Sequence, residues 1–205
     1  MRNNNGFDQW SGAYDEDILR MQNEGYPFEG YYQTLGTIQN KVLSGHAKNI
    51  LDIGIGTGLL SEVLYKEGIQ ITGLDFSAKM LAQARQKMPD GNFIQFDFNA
   101  GLPDELTGKK FDCIISSYAI HHINDYKKAA LISQLLNHLN PDGWIFIGDV
   151  AFETEQAMLE VKAKSSGWDE SEYYMIADEI IGLLKLNRIP AAFVRISMCS
   201  GVLSI

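Results

Sequence analysis

The chain is poor in cysteine and in basic charge, and both shortages narrow what it can be. Its 205 residues include 2 cysteines, Cys113 and Cys199, far apart and each inside an apolar segment. Two such thiols are too few for a disulfide framework and lack metal-site spacing, so they read as buried free thiols of a reducing compartment. Lys and Arg number 17 against 26 Asp and Glu, a formal charge of −9, and no basic cluster exceeds two residues. A surface of that sign repels phosphate backbones, which argues against nucleic acid as the partner. No apolar run approaches membrane-spanning length, and "MRNNNGFDQW" is too polar for a secretory signal. No membrane partner is expected, and the protein is read as cytoplasmic. There is no internal repeat and no low-complexity tract.

What is present is an alternation of short apolar runs with amphipathic ones. "NILDIGI" (49–55), "QITGLDF" (70–76), "NFIQFDF" (92–98), "FDCIISSYAI" (111–120) and "WIFIGDV" (144–150) read as buried strands. Between them lie helices from Gly58 to about Glu67, after a Ser77 cap (78–88), and over 126–139, the last ended by "NPDG". Strands separated by helices of this length need right-handed crossovers, hence a parallel sheet covered on both faces. The tail differs. "AAFVRISM" (191–198) and "GVLSI" (201–205) are joined by too few residues for a parallel crossover, so they predict an antiparallel hairpin. The expected fold is α/β: a Rossmann-like, mostly parallel sheet with an antiparallel last strand and helices on both faces. One domain spans 1–205, with a helical lid (1–46), a ligand-binding core (47–150), and a helical insert with the closing hairpin (151–205).

The segment "LDIGIGTGLLS" (51–61) marks the site. Gly54, Gly56 and Gly58 spell G-x-G-x-G, whereas the dinucleotide fingerprint needs a small residue at 59, where this chain has Leu59. Glycines there let backbone approach a ligand closely. Three acidic residues add weight: Asp52 on the strand before the loop, Asp75 at the end of the second strand, and Asp97 near the end of the third. Ligands of open parallel sheets bind outside the carboxyl ends of the strands, so all three carboxylates are expected in one crevice. Asp75 is placed to accept from two ribose hydroxyls and Asp97 from an exocyclic amine. Asp52 would repel a pyrophosphate and welcome a cationic amino-acid moiety.

These motifs, with "GLDFSAKMLAQAR", "FDF", "FDCIISSYAIHHI" and "LNPDGWIFIGD", resemble class I S-adenosylmethionine-dependent methyltransferases over residues 47 to 150. The chain is similar to small bacterial members of unassigned substrate. The resemblance implies a seven-stranded sheet whose final strand inserts antiparallel, and S-adenosylmethionine as cofactor. It implies that Gly54, Gly56 and Gly58 wrap the methionine part and Asp75 holds the ribose. Phe76 and Met80 would flank the adenine, Asp97 would bind its amine, and Phe98 belongs to the same set. Tyr14 would close over the cofactor, and backbone near Ser117 would meet its methionine end. The match fades after residue 152, so the acceptor pocket inherits nothing.

The acceptor is read as a small molecule, with N, O, S or C as the methylated atom and the oligomeric state left open. A hydroxyl or acidic carbon needs a general base, for which His121, His122, Tyr118 and Asp149 are the candidates. The histidines have a second reading as packing groups, and Asp149 as a loop cap. Adjacent histidines after a strand tend to point in different directions, and no third ligand is near in sequence, so no metal is expected. Tyr173 and Tyr174 either line the acceptor site or pack one face of a helix. A methyltransferase of nucleic acid or protein is a further option, the first disfavoured by charge and both by the lack of an added recognition domain. Two alternatives lie outside methyl transfer. One is a non-catalytic cofactor-binding module. The other is a nucleotide-dependent oxidoreductase, against which Leu59, Asp52 and the closing hairpin count.

Overall fold

Successive strand residues face opposite sides of a sheet, and this sequence supplies apolar side chains to both. Ile50, Ile71, Cys113, Ile115 and Phe146 belong to one buried layer, and Leu51, Leu74, Ile114, Ile145 and Ile147 to the other. Each fully buried aliphatic side chain contributes about 1.5–3 kcal/mol, so both faces must be covered. A computed structural model describes residues 14–21 and 25–205, with residues 14–16 as backbone alone. Its strands are β1 (Asn49–Ile53), β2 (Gln70–Asp75), β3 (Asn92–Gln95), β4 (Phe111–Ser117), β5 (Leu139–Phe152), β6 (Met175–Ile176), β7 (Ala192–Arg195) and β8 (Ser200–Ser204). Its helices are α1 (Tyr14–Met21), α2 (Tyr31–Ser44), α3 (Leu59–Lys66), α4 (Ala78–Lys87), α5 (Asp125–Leu136), α6 (Glu155–Lys164) and α7 (Ala177–Leu186).

The sheet runs β3-β2-β1-β4-β5-β8-β7. Strands β1 to β5 pair in parallel, and β8 is antiparallel to both β5 and β7. The fold is Rossmann-like, and the hairpin forms as its short connection requires. The final strand is inserted, as the resemblance implies, and does not lie at the edge. It fills the slot between β5 and β7. An eighth strand, β6, pairs in parallel with Ala151 and Phe152 and makes the sheet one strand larger than expected. Two residues are too few to produce a periodic signal.

Several boundaries differ from those the sequence suggests. The third strand stops at Gln95 because Asp97 caps a 3₁₀ turn over Phe98–Ala100, its Oδ1 accepting from the Asn99 N–H at 2.9 Å. Strand β5 is longer than 144–150 and takes in the "NPDG" expected only to end a helix. Ser77 caps α4 as its position predicts, accepting from the Met80 N–H at 3.2 Å.

Helix α2 is more than a lid. Ile38 and Val42 are buried against the sheet, and a Cβ added at Gly148 of β5 would stand 2.5 Å from Thr34 Cγ2. The helix crosses β5 in contact, and only its N-terminal end reaches the ligand side. The strand order reverses between β1 and β4, which opens a crevice at their carboxyl ends.

Candidate functional site

The crevice floor is the loop leaving β1. Its Gly54 and Ile55 N–H groups donate to Leu74 O at 2.7 and 3.0 Å, which ties the loop to β2. Gly54 has φ +71°, and a Cβ there would lie 2.4 Å from the Ala119 Cβ, so no other residue fits. Gly56 has φ +55° and nothing within 4 Å of an added Cβ. Its backbone is therefore open to a ligand. Gly58 plays a different part. It begins α3, and the Met88 Cε would meet its Cβ at 2.6 Å, so it serves the packing of α3 on α4 and does not line the crevice.

Asp75 stands at the end of β2, on the crevice wall and almost fully buried. Its Oδ2 accepts from the Gly56 N–H and its Oδ1 from the Ser77 N–H, both at 2.8 Å. Burial pushes its pKa up, while those amides pull the other way. A carboxylate offers about four lone-pair sites, so capacity remains for a ligand hydroxyl beside the backbone amides. Phe76, Met80 and Phe98 add apolar walls from the β2–β3 side. Tyr31, Ser117, Tyr118 and His122 line it from α2 and the end of β4.

Beyond β4 the chain makes a 3₁₀ turn over Ile120–His122 that is held from several directions. The His121 N–H donates to Asp149 Oδ2 at 3.1 Å, and His121 Nδ1 lies 2.5 Å from Asp149 Oδ1. His122 Nδ1 lies 2.8 Å from Glu172 Oε2. The two imidazoles touch edge to face, 4.2 Å between centroids.

Residues 50–143 match the family model described as "Methyltransferase domain". An uncharacterized methyltransferase of Alkaliphilus oremlandii is 35% identical over 164 residues, covering 77% of this chain and 72% of the relative. One from Geobacillus kaustophilus is 30% identical over 207 residues, covering 91% and 88%. The chain belongs to the methyltransferase family. The fold agrees. The DhpI–SAH complex superposes with a TM-score of 0.71 at 16% identity, covering 98% of this chain and 93% of that one. Magnesium protoporphyrin IX methyltransferase from Synechocystis with bound SAH gives 0.70 at 21% identity, covering 98% of each.

The methyltransferase does not bring its three aspartates together. Asp75 alone lines the crevice. Asp97 is exposed and occupied with its own turn. Asp52 has the same strand parity as Ile50 and so faces the helix layer, where its Oδ2 accepts from Ser61 Oγ of α3 at 2.6 Å. Its Oδ1 is buried with no hydrogen-bond partner. Desolvation pushes the Asp52 pKa up to about 7, opposed by Ser61 and helped by the charge of Asp75. A raised carboxyl pKa means stability that is complete below the unfolded value near 4 and is lost as pH rises through about 7. At alkaline pH the loss amounts to about 4 kcal/mol at most. The measurement is the melting temperature of Asp52→Asn minus that of wild type, which should climb between pH 4 and 8. A flat difference would contradict this account.

Among the base candidates, Tyr118 contributes its ring to the crevice, where it stacks on Tyr31 with centroids 4.3 Å apart. Its hydroxyl instead donates to Thr34 Oγ1 at 3.4 Å, and burial raises its pKa, so it is a poor base. Asp149 is fully buried and engaged with His121. Burial disfavours the charged His121 ring, but the Asp149 charge and hydrogen bond outweigh this and raise its pKa. Neither His121 nor Asp149 lines the crevice. His122 does. The side chain of Tyr14 lies outside the described residues.

The histidines share one side of the turn, against the expectation that they diverge. Ligating atoms of His121, His122 and Glu172 all lie within 4.8 Å of one another. Each histidine already has a carboxylate partner for Nδ1. Tyr174 packs against Tyr26 and Trp168 and Tyr173 is half exposed, and both lie in a loop, not on a helix. Sequence reasoning missed Glu172, which is 50 residues from its partner. Tyr31, which like Tyr32 could be read either as lining the site or as packing one face of a helix, lines the crevice.

Proposed function

We propose that this methyltransferase takes its methyl group from S-adenosylmethionine and transfers it to a small, uncharged or cationic acceptor through a hydroxyl or thiol. In this reading His122 is the general base and Glu172 is its carboxylate partner. The observation that carries it is the His122–Glu172 pair on the wall of the crevice that also holds Gly56 and Asp75. With Nδ1–H donated to Glu172, the lone pair of His122 sits on Nε2, and that is the nitrogen proposed to take a proton from an acceptor.

The residues present fit the cofactor. Gly56 offers open backbone to its amino-acid end, with Gly54 beside it on the crevice floor, and Asp75 has lone-pair capacity left for ribose hydroxyls. Phe76 and Met80 suit the faces of a purine. S-adenosylmethionine supplies a sulfonium methyl that is already electrophilic. The protein's tasks are therefore to hold the acceptor in line, to keep water out with Tyr31, Leu59, Leu60 and Met80, and to accept one proton at His122 Nε2.

Acceptor class follows from charge. No Lys or Arg lines the crevice among the described residues, and the net charge is −9. Phosphate, carboxylate and nucleic-acid acceptors would find no counter-charge there. Two free buried cysteines support a cytoplasmic setting, and no helix among the described residues is long and apolar enough to cross a membrane.

Calorimetric titration with S-adenosylmethionine, S-adenosylhomocysteine and NAD tests the cofactor. Micromolar binding of the first two and none of NAD is expected. Binding of NAD alone would overturn the reading.

A further inference from the structure

Lys128 is the largest side chain with no solvent exposure, and its position on α5 is otherwise an apolar one, between Ile53, Ile114 and Leu131. Burying an ammonium costs several kcal/mol before its partners are counted, and a methionine would fill the same volume without that cost. The Lys128 ammonium is held by two oxygens. It donates to Asp125 Oδ1 at 2.6 Å, one turn back on α5, and to the backbone carbonyl of Tyr173 at 2.5 Å.

Tyr173 belongs to the irregular stretch between α6 and β6, where no ladder supplies partners for the backbone. Its N–H donates to His121 O at 2.7 Å, and its C=O receives Lys128. Both backbone groups of this one residue are thus fixed, one to the histidine turn and one to α5. The preceding residue is Glu172, whose carboxylate meets His122 Nδ1. A loop pinned at 173 delivers a carboxylate at 172. Released at 173, the same carboxylate is free to swing into solvent.

Charge pairing agrees with this division of labour. Asp149 is engaged by His121 and Asp125 by Lys128. Glu172 remains for His122.

We propose that Lys128 is a positioning residue for the His122–Glu172 pair: by holding the Tyr173 carbonyl against α5 it keeps Glu172 on His122 Nδ1 and leaves Nε2 as the basic nitrogen. The proposal rests on the reading of His122 as the base. Lys128 itself touches neither crevice nor acceptor.

The test is ¹⁵N NMR of histidine-labelled protein at mildly alkaline pH, which reads the tautomer of each neutral ring and needs no acceptor. Wild type should show His122 as a single Nδ1–H form. Glu172→Ala, which removes the acceptor outright, should lose that single form, and so should Lys128→Met, while the His121 signal, governed by Asp149, stays as in wild type. If Lys128→Met does not fold, Asp125→Ala takes its place: it removes one of the two oxygens holding the ammonium from a partly exposed position, and it should also yield mixed His122 tautomers. A folded Lys128→Met that keeps the wild-type His122 signal, with Glu172→Ala changed, overturns the role of Lys128 alone. Where Lys128→Met is unfolded, an unchanged Asp125→Ala overturns that role equally. A loss of both histidine signatures together marks general loosening and also overturns the proposal. An unchanged Glu172→Ala overturns the base reading and this proposal with it.

Discussion

Replacing His122 with alanine is expected to lower turnover on a hydroxyl or thiol acceptor by about 10²–10⁴-fold, the range for loss of a positioned general base. The affinity for S-adenosylhomocysteine should change far less, because the imidazole's work is on the acceptor proton. The two quantities separate a catalytic role from a packing one. A packing residue on the crevice wall would weaken binding and turnover together. The deficit should also shrink as pH rises, since an acceptor that ionises in solution no longer needs the base. Initial rates of wild type and His122→Ala across pH, with S-adenosylhomocysteine binding measured beside them, decide the matter. Full turnover in the variant would remove His122 from the mechanism.

Asp75→Ala should weaken S-adenosylmethionine binding by about tenfold or more, the scale of lost charge-assisted hydrogen bonds. Two effects act in the same direction. The ribose hydroxyls would lose their acceptor, and the Gly56 and Ser77 N–H groups would lose theirs, which loosens the loop that carries the open glycine. Asp75→Asn distinguishes them. Its amide oxygen can still receive one N–H while the charge is gone, so an affinity between those of wild type and Asp75→Ala is expected. A folded Asp75→Ala with unchanged affinity in a calorimetric titration would end the ribose assignment.

The parts of this site that were legible in the sequence are those set by local spacing. The G-x-G-x-G turn, the aspartate closing the next strand and the Ser77 cap are each a short-range geometric demand, and each lies where its spacing puts it. Asp52 was misplaced because position along a strand says how near a residue is to the ligand edge, but not which face it presents. The parity of Ile50 and Asp52 sends the carboxylate into the helix layer, where Ser61 of α3 meets it. Asp97 differs for the opposite reason: its strand ends at Gln95, and its Oδ1 accepts from the Asn99 N–H of a local turn. Glu172 was invisible. What carries it to His122 is a pair of backbone hydrogen bonds at Tyr173, and backbone groups leave no mark in a sequence. Lys128 sits on a helix read only as amphipathic, and its two oxygen partners include a backbone carbonyl that no spacing announces.

The slot occupied by β8 dictates an order of assembly. Strand β5 is complete at Phe152, whereas its antiparallel neighbour begins at Ser200. On the ribosome the first five strands can pair as they emerge, and β5 then presents an unsatisfied row of N–H and C=O groups until the last strand arrives. An apolar edge of that kind recruits strands from other nascent chains as readily as its own. The helices and β7 made in the interval must also leave the gap open, because β7 belongs on its far side. Recovery of soluble protein during synthesis therefore depends on how quickly a distant hairpin closes, a long-range contact of the kind that slows folding. Substitutions within residues 200–204 should act first on the yield of folded chains and only afterwards on the melting of those that succeed.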